Sequence, residues 1–134
     1  MLAGMASGLH SEVCVQDLGL SGVTEADGLA VSRPSGFVGG MMDPLLDGEV
    51  TIRDARLYEL LHLVMQTEEI FLEPSACAGF QGVALLHGSP AGREWLRAQG
   101  LEGRLAHAAH IVWATGGALV PEDVRKQYLS VKKR

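Results

Sequence analysis

Lysine is the scarcest charged residue of this chain: the three lysines among 134 residues are Lys126, Lys132 and Lys133. They belong to the basic C-terminal segment 125–134, which holds five of the eleven basic residues. Residues 1–124 therefore carry six basic and sixteen acidic side chains, a net charge of −10. A body of that charge is a poor partner for nucleic acid. The segment itself is most simply a solvated helix end, with contact to an acidic partner as the alternative.

Cysteine is also scarce, since only Cys14 and Cys77 occur. Two cysteines this far apart match neither a disulfide framework nor the closely spaced pairs of a zinc site, which predicts reduced, buried thiols. Residues 1–10 lack the basic start and sustained apolar stretch of a secretory signal. No run approaches the roughly eighteen apolar residues of a membrane span. We expect a cytoplasmic protein without membrane contact.

Aromatic residues make up 5% of the chain and charged residues 20%, whereas hydrophobic residues make up 47%. This balance describes an aliphatic core and excludes a disordered, collagen-like or coiled-coil protein. A chain of this length is enough for one ordinary domain that buries about two-thirds of its unfolded surface. No linker or repeat divides it, so residues 1–134 are predicted to be one domain or part of one.

Five helices are predicted. The strongest signal begins at Thr51, whose hydroxyl would cap a helix while Asp54 returns the bond. Apolar residues then recur at helical spacing at Leu57, Leu60, Leu61, Val64 and Met65. The other predicted helices are residues 34–46, a mostly buried helix at 75–86, one capped by Ser89 and opened by Pro90 that ends before Gly100, and one with Pro121 as its first residue.

Strands are predicted between these helices. Residues 12–20 and 71–72 give weak signals, and residues 26–31 are typical of a buried strand or loop edge. His110–Ala114 is a continuous apolar run with β-branched residues, as expected of a parallel strand covered on both faces. Strands that alternate with helices predict an α/β fold with a parallel sheet and covering helices.

The predicted strand at 110–114 ends at Thr115, Gly116 and Gly117. Ligands of open α/β sheets bind beyond the carboxyl ends of strands. A threonine hydroxyl can donate to an aromatic ring nitrogen, and neighbouring glycines let a flat ring approach the backbone. The simpler interpretation is a strand-to-helix turn in which the glycines supply positive φ.

Three other groups of residues have both a structural and a functional interpretation. Glu73-Pro74-Ser75 could cap the following helix or face a pocket at its N-terminus. His107 and His110 are spaced as a metal pair, but without a third ligand neither they nor His62 predict a zinc site. The glycines at 36, 39 and 40 depart from the spacing of phosphate-binding loops.

Six motifs together resemble the C-terminal portion of the bacterial D-serine dehydratases and span nearly the whole chain. The last two are the most specific, whereas the second is shared more widely among serine and threonine dehydratases. They are Val15-Gln-Asp-Leu-Gly19, Ala26-Asp-Gly-Leu-Ala-Val31, Ser35-Gly-Phe-Val-Gly39, Leu45-Leu-Asp-Gly48, Leu72-Glu-Pro-Ser-Ala76 and Val112-Trp-Ala-Thr-Gly-Gly117.

The resemblance implies pyridoxal 5'-phosphate-dependent conversion of D-serine to pyruvate and ammonia. It also implies the fold of the tryptophan synthase β subunit (fold type II). Residues 1–134 would then be a partial domain, a piece of the large cofactor domain of that fold. In that family the Schiff-base lysine and the glycine-rich phosphate loop precede the matched region. None of the three lysines of this chain is a credible substitute, because such a lysine sits in a desolvated pocket. The resemblance thus assigns no catalytic residue here and implies a fragment that is inactive alone.

The resemblance does imply cofactor contacts. Thr115 would donate a hydrogen bond to the pyridine nitrogen of the cofactor, Gly116 would shape the backbone beside it, and Gly28 with Asp27 would lie near the ring edge. Several relatives also bind a monovalent cation through main-chain oxygens, so such a cation is conceivable here, although its ligands are not placed and the metal site stays unknown.

Two alternatives remain open. The chain could be part of an L-threonine or L-serine dehydratase, which the wording of the last two motifs disfavours. It could also be a non-catalytic piece that docks on the missing N-terminal part, or on an intact relative, through an incomplete sheet edge.

Overall fold

The computed structural model describes residues 1–131 of the chain. The chain divides into two compact units, Met1–Thr51 and Ile52–Arg134. No helix in the described part is long and apolar enough to cross a membrane. The structure contains this chain alone, so the prediction that residues 1–134 are one partial domain of a larger protein stays a prediction.

The first unit contains two short α-helices, α1 (Leu2–Ser7) and α2 (Gly36–Met42). Three 3-10 turns lie between them, at His10–Glu12, Val15–Leu18 and Asp27–Leu29. The Val15 amide donates to the Ser32 carbonyl over 2.9 Å, and Arg33 Nη1 donates to the Ser11 carbonyl over 2.8 Å. These bonds connect the segments that carry the first two motifs.

The second unit contains four α-helices and is the larger of the two. They are α3 (Asp54–Glu68), α4 (Ala78–Gly88), α5 (Pro90–Ala98) and α6 (Glu122–Ser130), with 3-10 turns at Ser75–Cys77 and Glu102–His107. One cluster of buried residues forms its core: Leu60, Leu61, Val64, Leu72, Ala76 and Cys77. The Tyr58 and Tyr128 rings, 6.1 Å apart, bring α3 and α6 together.

The apolar spacing predicted for α3 is confirmed. Leu57, Leu60, Leu61 and Val64 are all buried. The predicted capping box of Thr51 and Asp54 is wrong, because α3 begins at Asp54 after Arg53 and has no side-chain hydrogen bond at its N-cap. Ile52 packs against the core from the segment before the helix, so the chain becomes helical later than the residue pattern indicates.

The other four predicted helices also form, with shifted ends. Ser89 Oγ accepts the Gly92 amide over 2.9 Å as predicted, and α5 follows from Pro90. Helix α6 begins one residue after Pro121. Helix α2 is shorter than 34–46, because Ser35 caps it and turns follow Met42. The predicted helix at 75–86 divides into the turn Ser75–Cys77, where Ala76 and Cys77 are buried, and α4, which has no buried residue.

The predicted α/β fold with parallel strands is wrong for the described residues, whose regular elements are all helices or 3-10 turns. Residues 12–20 and 26–31 contain 3-10 turns, and residues 71–72 and 110–114 have no regular structure. Ile111 is 91% exposed and Trp113 is 83% exposed, so the expected covering on both faces is missing. A strand needs a partner for its backbone hydrogen bonds, which β propensity alone cannot replace.

Candidate functional site

The two most specific motifs meet in the second unit. The Glu73 amide donates to the Gly116 carbonyl over 3.3 Å. A Cβ atom added to Gly116 would lie 2.5 Å from Glu73 Oε1 and 2.7 Å from Cδ, so the carboxylate lies directly against the Gly116 backbone. Neither the turn Ser75–Cys77 nor α4 has a side-chain hydrogen bond at its N-cap. The Glu73 carboxylate thus packs on the turn that begins with Gly116 and Gly117, here called the glycine turn, instead of capping α4.

Gly117 is the second glycine that this approach requires. It is buried, and its φ of +140° is a conformation that residues with a side chain rarely adopt. A Cβ atom there would lie 2.6 Å from the Phe71 carbonyl oxygen and 2.9 Å from Leu72 Cα. The positive φ expected of these glycines is found at Gly117, although residues 110–114 before the turn form no strand. It is the chain itself that approaches the turn so closely.

Arg125 holds the turn from α6. Its Nη2 donates to the carbonyls of Gly117 over 3.1 Å and Ala118 over 2.6 Å, and its Nε donates to Val120 over 2.8 Å. Its guanidinium also lies 5.1 Å from the centre of the Phe71 ring, within the range of a cation–π contact. In the sequence, Arg125 stands out only as a charge of the basic C-terminal segment.

The three residues proposed to contact a cofactor lie in two places. Thr115 and Gly116 are adjacent at the glycine turn, where Thr115 is exposed and Gly116 half-buried. The hydroxyl of Thr115 has no hydrogen-bond partner in the described part of the chain, so it can still donate to a ligand. Gly28 lies in the exposed 3-10 turn Asp27–Leu29 of the first unit.

Cys77, four residues after Glu73, is fully buried, with 0% of its surface exposed. Burial raises the pKa of the Cys77 thiol to about 11, and the negative charge of Glu73 acts in the same direction. Cys14 is half-buried in the first unit, and both thiols are free. The prediction of buried thiols thus holds fully only for Cys77, and their reduced state stays a prediction.

Cys77 is expected to resist alkylation in the folded chain. At pH 8 a thiol of pKa about 11 is ionised only to about 0.1%, and the thiolate is the reactive form. Iodoacetamide should therefore add one group per native chain, at Cys14, and two in urea, as counted by mass spectrometry. The Cys14→Ser variant is the control and should add none when native. Alkylation of native Cys77 at the rate of Cys14 would contradict the burial.

The histidines pair differently from the predicted spacing. His110 contacts His87, with their Nε2 atoms 2.7 Å apart, and His107 is exposed. His62 Nε2 lies 2.9 Å from the Val131 carbonyl oxygen, a bond between α3 and the end of α6. Among residues 1–131 no group of three or more His, Cys, Asp or Glu side chains could hold a metal ion.

Three curated proteins that are similar to this chain are each described as a probable D-serine dehydratase. The protein of Bacillus mycoides is 51% identical and that of Geobacillus stearothermophilus 49%, each over 96% of this chain and 28% of its own length. The protein of Acinetobacter baumannii is 48% identical over 100% of this chain and 30% of its own length. The chain thus spans less than a third of these relatives. No family model matches it.

Proposed function

This chain is homologous over almost all of its length to a section of the probable D-serine dehydratases, as its motifs predict, and we propose that it supplies one side of the cofactor site of such an enzyme. The complete protein would convert D-serine to pyruvate and ammonia: the water lost as the hydroxyl leaves is balanced by the water that hydrolyses the resulting imine. This chain would be its C-terminal part. The observation that carries the proposal is the meeting of the two most specific motifs at the glycine turn, beside the exposed Thr115.

Pyridoxal 5'-phosphate is the proposed cofactor, and the residues of the turn suit one end of it. The Thr115 hydroxyl would donate to the pyridine nitrogen, Gly116 would present a backbone without a side chain, and Gly28 would reach the ring edge in the complete protein. When bound, the cofactor supplies a ring that accepts electron density from the substrate while the substrate loses its hydroxyl group. A hydroxyl that donates this bond keeps its proton on its own oxygen, so the ring nitrogen stays largely unprotonated.

A rigid turn is what such a contact needs, because a hydrogen bond of fixed direction depends on the position of its donor. Three bonds from Arg125 hold the carbonyls after Gly116, and Glu73 packs against Gly116 from the other side. The Thr115 backbone is thereby attached to a fixed support although its side chain is exposed.

The lysine that binds the cofactor is proposed to come from outside this chain. Lys126 lies on α6 with 74% of its side chain exposed and forms an ion pair of 3.7 Å with Glu122. A lysine that attacks a carbonyl sits in a desolvated pocket, whereas the Lys126 side chain is exposed and paired with a carboxylate. Lys132 and Lys133 lie outside the described residues. The chain alone is therefore proposed to be inactive, with no catalytic residue of its own.

Exposed apolar side chains support contact with the rest of a larger protein. Ile111 and Trp113, just before Thr115, are 91% and 83% exposed, and Leu119, just after the glycines, is 97% exposed. Burying such side chains would contribute about 1.5–3 kcal/mol each. We propose that this stretch docks on the N-terminal part of the complete enzyme. The monovalent cation and the cytoplasmic location stay predictions, and no residue here supports them directly.

A chimaera tests the function. The section of the Bacillus mycoides protein that matches this chain would be replaced by residues 1–134, and product release would be measured with D-serine, L-serine and L-threonine. We expect pyruvate from D-serine with the chimaera and none with the chain alone. Turnover of L-threonine or L-serine in preference to D-serine would contradict the proposed substrate, and pyruvate release by the chain alone would contradict its inactivity.

Two substitutions in the same chimaera test Thr115. Thr115→Ala removes the donor, and since one hydrogen bond contributes about 1 kcal/mol or somewhat more, cofactor affinity should fall about tenfold. Thr115→Ser keeps the hydroxyl and should stay within about twofold. A fluorescence titration with pyridoxal 5'-phosphate measures both. Equal affinity of the alanine variant and the parent chimaera would rule out the contact without touching the assignment of the reaction.

A further inference from the structure

Two histidines outside the proposed cofactor contacts converge on one point of the second unit. His87 lies in the last turn of α4, and His110 lies between the turn Glu102–His107 and Thr115. Their Nε2 atoms are 2.7 Å apart, and their rings meet edge to face at 85° with centroids 4.7 Å apart. Both side chains are exposed to solvent. The two ring nitrogens thus lie side by side at the surface.

This geometry is close to that of two ligands of one metal ion. Imidazole nitrogens bind zinc at about 2.0–2.1 Å, which places two ligands of a tetrahedral ion about 3.3 Å apart. The histidine nitrogens need to separate by only about 0.6 Å to reach this distance. Exposed side chains can make such a rotation without disturbing a core.

The position of His87 also favours a cation. The C-terminal end of a helix carries the negative end of its dipole, and His87 lies in the last turn of α4. Two groups already use carbonyls there: Ser89 Oγ donates to Leu85 over 2.7 Å, and Arg93 Nη1 donates to Gly88 over 3.2 Å. The positive charge of Arg93 opposes a second cation, which limits the affinity.

We propose that His87 and His110 form a two-ligand site for a divalent transition metal ion, with water in the remaining positions. Imidazole suits Cu²⁺, Ni²⁺ and Zn²⁺, and Cu²⁺ binds most tightly in the general order of such ions. Since no described residue completes a group of three ligands, the site is open and its binding reversible. The bound ion would connect the end of α4 to the segment that leads to Thr115.

Calorimetric titration of the chain with NiCl₂ and ZnCl₂ tests the site. One ion should bind per chain, and His87→Gln and His110→Gln should each weaken binding at least tenfold, because glutamine removes the ring nitrogen. His107→Gln is the matched control, since this exposed histidine lies three residues before His110; its affinity should stay within twofold. Circular dichroism of each variant confirms an unchanged helical content.

Sedimentation of the metal-loaded chain separates a site within one chain from an ion shared by two. A monomer with one bound ion is the expected result. Affinities of His87→Gln or His110→Gln within twofold of the parent chain would overturn the proposal, and so would a dimer that forms only with metal. Loss of binding in His107→Gln alone would assign the site to a different histidine and overturn it as well.

Discussion

Replacing Gly117 with alanine is expected to lower the free energy of unfolding of the second unit by about 2–6 kcal/mol. The φ of +140° is strained for any residue with a side chain, at about 1–3 kcal/mol. The added Cβ would also lie 2.6 Å from the Phe71 carbonyl oxygen and 2.9 Å from Leu72 Cα, and overpacking costs about 1–3 kcal/mol more. Urea unfolding followed by circular dichroism measures the loss.

Two other glycines separate these causes. Gly100 has a φ of +65° but no atom within 4 Å of an added Cβ, so Gly100→Ala should lose only about 1–2 kcal/mol from the left-handed backbone. Gly103 has neither constraint, and Gly103→Ala should be neutral within about 0.5 kcal/mol. If Gly117→Ala unfolds at the same urea concentration as Gly103→Ala, the close approach of residues 71–73 to the turn does not exist in solution.

Helices were predictable from the sequence because their signals are local. The spacing of Leu57, Leu61 and Val64 marks one face of a helix whatever surrounds it, and the Ser89-Pro90 pair both caps and opens α5. Helix ends were less predictable, since Thr51 offers a good cap and yet α3 begins at Asp54. Ile52, two residues before α3, packs against the core, a contact that no local pattern indicates.

Strands could not be predicted in the same way. The apolar run His110–Ala114 has the composition of a buried strand, but a strand forms only where another strand offers its backbone groups. Within the described residues no such neighbour is present, and Ile111 and Trp113 are exposed instead. The pattern therefore correctly indicates that these residues favour a strand, but it does not predict that they form none in this chain.

The candidate site was predictable in part. The motifs singled out Glu73 and Gly116, but nothing in the sequence indicates that residues 43 positions apart share a hydrogen bond and a packed contact. The role of Arg125 could not be predicted for the same reason. It donates to the backbone carbonyls of Gly117, Ala118 and Val120, and backbone groups leave no pattern of side chains in the sequence. Side-chain chemistry thus located the turn, whereas its support became visible only in three dimensions.

The core of the second unit is expected to depend strongly on Leu61. This residue is fully buried, with 0% of its surface exposed, and belongs to the cluster that also holds Leu72 and Cys77. Leu61→Ala should lower the free energy of unfolding by about 2–5 kcal/mol, because it removes buried methyl groups and leaves a cavity.

Leu63→Ala is the matched control for this core, since the same substitution is made on the same helix where the side chain is 48% exposed. It should change the free energy of unfolding by no more than about 1 kcal/mol. Urea unfolding compares both variants with the parent chain.

Because Leu72 follows Phe71, whose carbonyl packs on Gly117, loosening of the core by Leu61→Ala should also loosen the glycine turn. Native-state hydrogen exchange should then show faster exchange at the Glu73 amide, which donates to Gly116. The contrary result is a Glu73 amide that exchanges at the parent rate while Leu61→Ala lowers the free energy of unfolding. That result would show that the turn holds its position independently of the core.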